Sequence, residues 1–444
     1  MTHIIVNETR KSRPSYMHHK ISYIQYRCLI FGILGAAYIL VFFHRLAPAV
    51  VAVDMMSDLK TGGALMGILA SAYFYPYGLM QIPAGLLSDT WGPRRSIVFF
   101  FTIGAVGSIA LAFAQTVEIA IAARVFVGLG VAMIFIPTLK ILTHWFERDK
   151  YVHMSGLLMS LGGVGAYTAS TPLALMSDVI TWRGSMIVIG ILTLIISGLV
   201  WLLVRDTPVQ AGFQPINPCA PAHCEEQEIG LFHGLIMVLK RRQFWPMAMC
   251  SFFGSLVSLS FSGLWGGPFL MHVYGMTRTR AGAVLSAMAI GMIIGAPVMS
   301  WLSNRMLHSR KKVLALSQLG GLCVFAPLAF FTGDFSETAL YIWCFSYSFF
   351  MSSLVVVGYS AIKDSFPIQI SGTATGTLNI FPFAGAALGQ PLIGWYLDSV
   401  GAVDGRYPVD AYSAAFKMCL FCLLVAFISS IMVKETFPQK HDSA

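Results

Sequence analysis

Residues 62–95 read GGALMGILASAYFYPYGLMQIPAGLLSDTWGPRR. From Gly62 to Leu87 no side chain carries a charge. A helix needs about 20 such residues to cross the hydrocarbon of a bilayer. The run ends at Ser88-Asp89, turns through Trp91-Gly92-Pro93 and closes on Arg94-Arg95. Glycine and proline force a short turn there, and the charge marks the side on which the segment stops.

The rest of the chain repeats that pattern. Its 444 residues are 56% hydrophobic and only 11% charged, with mean hydropathy +0.71. Soluble domains carry about 25% charged residues, so the expectation is an all-α integral membrane protein. The net charge of +9 does not imply a nucleic-acid partner, because the basic residues sit in short loops between apolar runs. The partner implied is the lipid bilayer. No cleavable signal peptide is expected, since Met1 to Lys20 is polar. Most of the eight cysteines, such as Cys250, Cys323 and Cys419, fall in apolar runs and read as small hydrophobes. Cys219 and Cys224 flank His223 without further ligands at zinc spacing, so neither a metal nor a cofactor is expected.

A basic tail (1–27) precedes span 1, expected over about Cys28–Val51. Span 2 is the opening stretch. Span 3 covers about Ser96–Ala114, span 4 Glu118–Trp145, span 5 Met154–Met176 and span 6 Arg183–Val204. A polar stretch (205–243) with prolines at 208, 215, 218 and 221 reads as a linker between two bundles, 28–204 and 244–433. Within it Gly230–Leu239 suits a short amphipathic helix. Spans 7 to 12 follow over about Phe244–Val273, Ala281–Leu302, Val313–Thr332, Thr338–Ile362, Gly372–Leu397 and Ala411–Val433, before a short tail (434–444). Loops with Arg94, Arg95, Lys240, Arg241, Arg242, Lys311 and Lys312 share a side with both termini. The opposite loops balance Lys60, Arg183 and Arg278 against Asp54, Asp58 and Asp178. The positive-inside rule puts both termini in the cytoplasm and makes the number of spans even, about twelve.

The run from Gly85 through Asp89 and Gly92 to Arg94 and Arg95 resembles the signature between the second and third spans of the major facilitator superfamily, with Thr90 where an Arg is usual. The resemblance implies two pseudo-symmetric six-helix bundles, a substrate site between them near mid-membrane, and a gating role for the signature residues. Gly85 would let a neighbouring helix approach closely, and Asp89 would accept hydrogen bonds from a facing helix N-terminus. Ser300–Lys312 echoes the signature after span 8, with Asn304 in place of the Asp and Arg305 kept. Lys140 near the end of span 4 has a counterpart in Lys363 at the end of span 10.

Charges inside spans are costly and face a cavity or a partner. Arg45, in FFHRLAPAVVAV, reads either as an anchor for an anionic group or as a structural pair with Asp54 or Asp58. Arg124 opens RVFVGLGVAMIFIP at a similar depth and reads either as a second ligand or as a donor to span-1 carbonyls. Lys140, about 24 Å further along an unbroken helix, belongs at the terminal end as a gate or a snorkelling residue. His44 is the one side chain of this group whose ordinary pKa lies near neutrality, and is the candidate proton carrier, or else a hydrogen-bonded spacer.

Arg45, Arg124 and Trp145-Phe146 are also similar to the anion:cation symporter branch. That branch carries acids where His44 and Val131 stand here, so a carboxylate proton relay is not implied. Polar residues complete a plausible cavity: Tyr38, Tyr73, Tyr77, Gln81, Tyr167, Trp265, Tyr347, Tyr359, Asn379 and Gln390. Glycines 162, 163 and 165 in span 5 and 291 and 295 in span 8 suggest helices that slide as the bundles alternate. The expected function is alternating-access transport of a small polar organic anion or zwitterion across the inner membrane, by proton symport, in a monomer. Anion or organophosphate exchange and a non-transporting sensor of the same fold are the alternatives. No nucleophile–base or metal constellation supports an enzyme.

Overall fold

The computed structural model describes residues 22–214 and 231–437, so Cys219, His223 and Cys224 lie outside the described residues. Among the described residues nine helical stretches are long and apolar enough to cross a membrane. One of these, His153–Leu203, is 51 residues long and holds two spans. The broken span 2 and the 33-residue span 11 complete twelve.

Several spans are longer than the hydropathy predicts, and prolines and glycines interrupt them. Span 1 is Tyr23–Leu46 continued by Pro48–Asp58. Asp54 and Asp58 are therefore on the helix and not in a loop, because the Pro48 break lets the chain continue at an angle. Span 2 is three pieces, Gly63–Ser71, Phe74–Leu79 and Gln81–Thr90. Span 3 is Pro93–Phe113. Span 4 is Val117–Ala132 and Phe135–Trp145, so the unbroken helix expected between Arg124 and Lys140 is not found. Span 5 begins at Arg148–Thr168 and runs into Thr171–Leu203, which leaves helical geometry at Thr181 and continues as span 6.

After the amphipathic helix Leu231–Lys240, packed on span 11, span 7 runs through Phe244–Ser260, a π-turn Phe261–Trp265 and Gly266–Val273. Span 8 is Arg278–Trp301 with a π-turn Leu302–Met306. Spans 9 to 12 are Arg310–Phe330, the pair Glu337–Met351 and Ser353–Asp364, Ile368–Val400, and Val409–Met432.

The glycines sort differently from the sliding pair expected. Gly291 and Gly295 meet Phe345 and Phe349 of span 10, and Gly162 meets Phe42 of span 1; only Gly163 touches the other bundle, at Ile293 of span 8.

The signature recurs where the sequence reading did not find it. Gly85, Asp89 and Gly92 close span 2; Gly394, Asp398 and Gly401 close span 11 at the same spacing. Gly92 and Gly401 have φ of 94° and 90°, a left-handed backbone that favours glycine. Span 5 ends the same way at Asp178, three residues before Thr181 with φ 64°.

On the side away from the termini these repeats join the bundles. The Asp398 carboxylate accepts the Gly63 and Ala64 N–H groups, each at 2.8 Å, at the N-terminus of span 2. The Tyr407 hydroxyl accepts the Gly63 N–H at 2.8 Å and donates to Asp398. Asp178 accepts Arg278 Nη1 at 2.9 Å and the Thr279 hydroxyl at the start of span 8, and Arg278 also bridges to Asp54 at 2.5 Å. A negative charge at a helix N-terminus is worth about 0.3–1 kcal/mol, and up to about 2 when partly buried.

On the terminal side the corresponding groups bond within their own bundle. Asp89 pairs with Lys140, and Asn304 accepts Arg310 Nη1 at 2.7 Å. Arg310, which also reaches Asp364 at 3.4 Å, takes the place expected for Lys363, which is exposed. Gly85, expected to admit a close helix, borders open space, as do Gly156, Gly372 and Gly376; a Cβ on any of them meets nothing within 4 Å. The molecule is closed on the far side and open toward the side of its termini.

Asp398→Asn, alone and with Tyr407→Phe, is expected to raise the population open on the far side by about fivefold, the worth of roughly 1 kcal/mol. Spin-label distances between the far ends of spans 2 and 11 read this directly. Unchanged distributions in both variants would refute the lock.

Candidate functional site

Pro48 has no N–H, so the carbonyl of His44, four residues earlier, has no helical donor. Arg124 Nη1 supplies one at 2.9 Å. Arg124 is 2% exposed, and its guanidinium lies 5.2 Å from the centroid of the Tyr73 ring. Tyr73 stacks on Tyr77 at 5.5 Å and 18°. Beyond Tyr77, at 4.9 Å, is the Arg45 guanidinium. Both guanidinium groups thus lie against tyrosines of span 2, Arg124 against Tyr73 and Arg45 against Tyr77 and within reach of Tyr73, and among the described residues no carboxylate stands between them.

Arg45 lies between the bundles. Phe42 of span 1, Tyr77 of span 2 and Phe383 of span 11 surround its guanidinium at 4.6, 4.9 and 5.1 Å. Cation–π contacts in desolvated settings are worth about 2 kcal/mol, but they do not satisfy N–H donors, and Arg45 Nε is buried without a partner. The acids that the sequence offered it are taken. Asp54 holds Arg278, and Asp58 accepts Trp182 Nε1 at 2.8 Å and lies 3.6 Å from Arg183. The fork of a guanidinium matches the two oxygens of a carboxylate or phosphate.

A polar relay crosses from one bundle to the other next to this cage. The Tyr359 hydroxyl of span 10 donates to Asn379 Oδ1 of span 11. Asn379 Nδ2 donates to Gln81 Oε1 at 2.7 Å, and Gln81 Nε2 donates to the Tyr77 carbonyl at 3.0 Å. Tyr38 packs against Phe42 and Phe135, with its hydroxyl 3.6 Å from the Met159 sulfur.

The remaining polar residues lie elsewhere. Tyr347 is buried inside the second bundle, stacked on Trp343 and bonded to Ser258. Trp265 donates to the Gln390 carbonyl at 2.9 Å and packs near Gly63 and Gly394 in the far-side closure. The Gln390 side chain donates to the Leu259 carbonyl at 3.1 Å. Tyr167 is 41% exposed on span 5. His44 faces away from Arg45, with Nε2 3.1 Å from the Thr193 hydroxyl of span 6, and is 1% exposed. Phe42 and Phe383 were not singled out in the sequence, because phenylalanine in a span reads first as packing.

The comparisons agree with this architecture. The Major Facilitator Superfamily model matches residues 30–269 and again 248–444. The chain belongs to that superfamily of transporters, and it is not an enzyme. It is 23% identical to a probable hexose phosphate transport protein of Chlamydia trachomatis, over 95% of this chain and 94% of the other. It is 24% identical to the probable sulfoacetate transporter SauU of Cupriavidus necator (86% and 90% covered), and 23% identical to the membrane sensor protein UhpC of Salmonella typhimurium (89% and 88% covered). Among solved structures, an inward-facing, unoccupied bacterial homologue of the human lysosomal transporter Spinster superposes with TM-score 0.74, at 18% identity, over 92% of this chain and 98% of that one.

Arg124→Met is expected to lower unfolding free energy by about 2 kcal/mol, because the His44 carbonyl loses a charged donor. A fall in Tm in detergent reads this. Wild-type Tm in the variant would show that the bond contributes nothing.

Proposed function

We propose that this chain moves a small polar organic anion, or a zwitterion presenting its acid group, across the cytoplasmic membrane by alternating access. Arg45 is its anchor. The observation that carries this reading is a guanidinium between the bundles, caged by Phe42, Tyr77 and Phe383, with a buried Nε and no carboxylate of its own. The relatives' names supply the same chemistry, since hexose phosphate and sulfoacetate are both oxyanions. Tyr359, Asn379 and Gln81 link the bundles beside the cage and would respond to a guest that draws them together. Arg124 acts through span 1 as a positioning residue.

On this reading both termini are cytoplasmic, which the basic loops support, residues 205–243 are the linker and the working unit is a monomer. In that orientation the chain stands open to the cytoplasm. Proton symport remains the first coupling mode. Exchange of one anion for another is the second, favoured because His44 is walled off between spans 1 and 6.

Uptake into proteoliposomes tests the anchor. Arg45→Ala is expected to weaken apparent affinity about 30-fold or more, as loss of one partner of a buried charge contact does; Arg45→Lys keeps charge but loses the fork and recovers part of it. Wild-type affinity for every transported anion in Arg45→Ala would sink the proposal. A lumenal pH dye separates symport from exchange. Counterflow separates both from a sensor that binds without transport; one relative is a membrane sensor protein.

A further inference from the structure

Two voids at the terminal end of spans 3 and 6 play no part in the transport site. One is a polar pocket of about 550 Å³ walled by Arg94, Arg95, Arg205, Asp89, Asp206 and Gln210. The other is an apolar groove of about 410 Å³ between the same two spans, lined by Val98, Thr102, Leu194, Ser197, Gly198 and Trp201. Trp201 partitions them. The Arg94 guanidinium lies 4.4 Å from its ring centroid and donates to its carbonyl.

The polar pocket has spare positive charge. Asp89 is held by Lys140, and Asp206 Oδ1 accepts the Arg94 N–H at 2.8 Å, capping span 3. Among the described residues Arg94, Arg95 and Arg205 have no carboxylate within 4.0 Å, and Arg94 Nε is buried without a partner. Guanidinium forks of this kind match phosphate oxygens.

The groove faces outward. Phe99, Val106, Ile195 and Leu202 on the same two spans are all more than half exposed, as side chains in contact with hydrocarbon are. Its two hydroxyls are spent on each other and on the backbone: Thr102 Oγ1 lies 3.0 Å from Ser197 Oγ, which donates to the Val98 carbonyl at 3.1 Å. Its surface is therefore apolar despite its composition. A Cβ on Gly198 would meet nothing within 4 Å, so the wall is open there to a guest. From Leu194 to Trp201 the helix provides about 10 Å of length. Trp91 and Trp201, 40% and 48% exposed, stand at the level where indoles mark the membrane–water boundary.

We propose that the pocket and the groove together form a binding site for one anionic phospholipid. Arg94, Arg95 and Arg205 hold its phosphate, and one acyl chain lies along the groove beside Gly198. Basic pockets between spans at this level recognise anionic headgroups. The site holds lipid beside the signature turn at Gly92, independently of what Arg45 binds.

Native mass spectrometry of the full chain, delipidated and titrated with phosphatidylglycerol or phosphatidylcholine of the same acyl chains, tests it. One phosphatidylglycerol is expected to be retained over phosphatidylcholine by tenfold or more, at about fivefold per arginine engaged. Arg95→Ala with Arg205→Ala is expected to erase the preference. Gly198→Phe, with Gly198→Leu as the milder variant, is expected to weaken both lipids alike by blocking the chain. Thermal melting in phosphatidylcholine checks that each variant folds. No headgroup preference in the wild type would overturn the proposal, as would wild-type retention in the folded variants. Displacement of the lipid by soluble glycerol phosphate, with the Gly198 variants unaffected, would reduce the site to one for free phosphate and overturn it equally.

Discussion

One missing hydrogen-bond donor shapes the centre of this molecule. Pro48 leaves the His44 carbonyl without a helical partner in a medium that offers no water, and a buried unpaired carbonyl costs about 1–3 kcal/mol. Arg124, from span 4, fills the gap. Span 1 thereby bends next to Arg45, and span 4 is pinned to the bend. The stacked Tyr73 and Tyr77 of span 2 then lie against both guanidinium groups. Arg124 gives Nη1 to the backbone while its Nε and Nη2 stay buried without a partner, and Arg45 faces the second bundle. The two arginines look equivalent as charges in spans but sit differently: Arg124 bonds the span-1 backbone, and Arg45 touches rings of both bundles.

The closure on the far side uses the same economy of polar groups. Its charged contacts between the bundles are a carboxylate at a helix N-terminus or an ion pair near one, at Asp398 with span 2 and Asp178 with span 8. Such contacts are worth about 1 kcal/mol apiece, enough together to bias the equilibrium and too little to lock it. A substrate whose differential affinity for the two states is a few kcal/mol can reverse that balance.

The fold was legible because hydropathy is a property of composition over twenty residues, and it survives errors of several residues at each end. Span count, pseudo-symmetry and the burial of Arg45, Arg124 and His44 all followed from it. What did not follow was direction. Spans 1 and 4 are apolar nearly all round, so nothing in the sequence showed which face of either helix carried His44 or Arg124, and both readings of each stayed open. Tyr347 and Gln390 went to packing inside the second bundle for the same reason. The breaks at Pro48 and in span 4 were readable as prolines but not as angles. Asp398 was the most findable omission. Its glycine four residues before and glycine three residues after repeat the spacing around Asp89, and only the focus on the basic end of the signature hid the match.

That repeat also explains the one place where the two bundles differ on the terminal side. Asp89 is ionic and held by Lys140, whereas Asn304, its counterpart, is neutral and held by Arg310, which leans also on Asp364. By the symmetry of the repeat, the counterpart of the Asp398 contact with span 2 would be Asp89 at the N-terminus of span 11, in place of its pair with Lys140. Asn304 brings no charge to span 5 and gains much less from its helix dipole. On the far side Asp398, Asp178 and Asp54 all hold the bundles together, and the protein is closed there and open toward its termini.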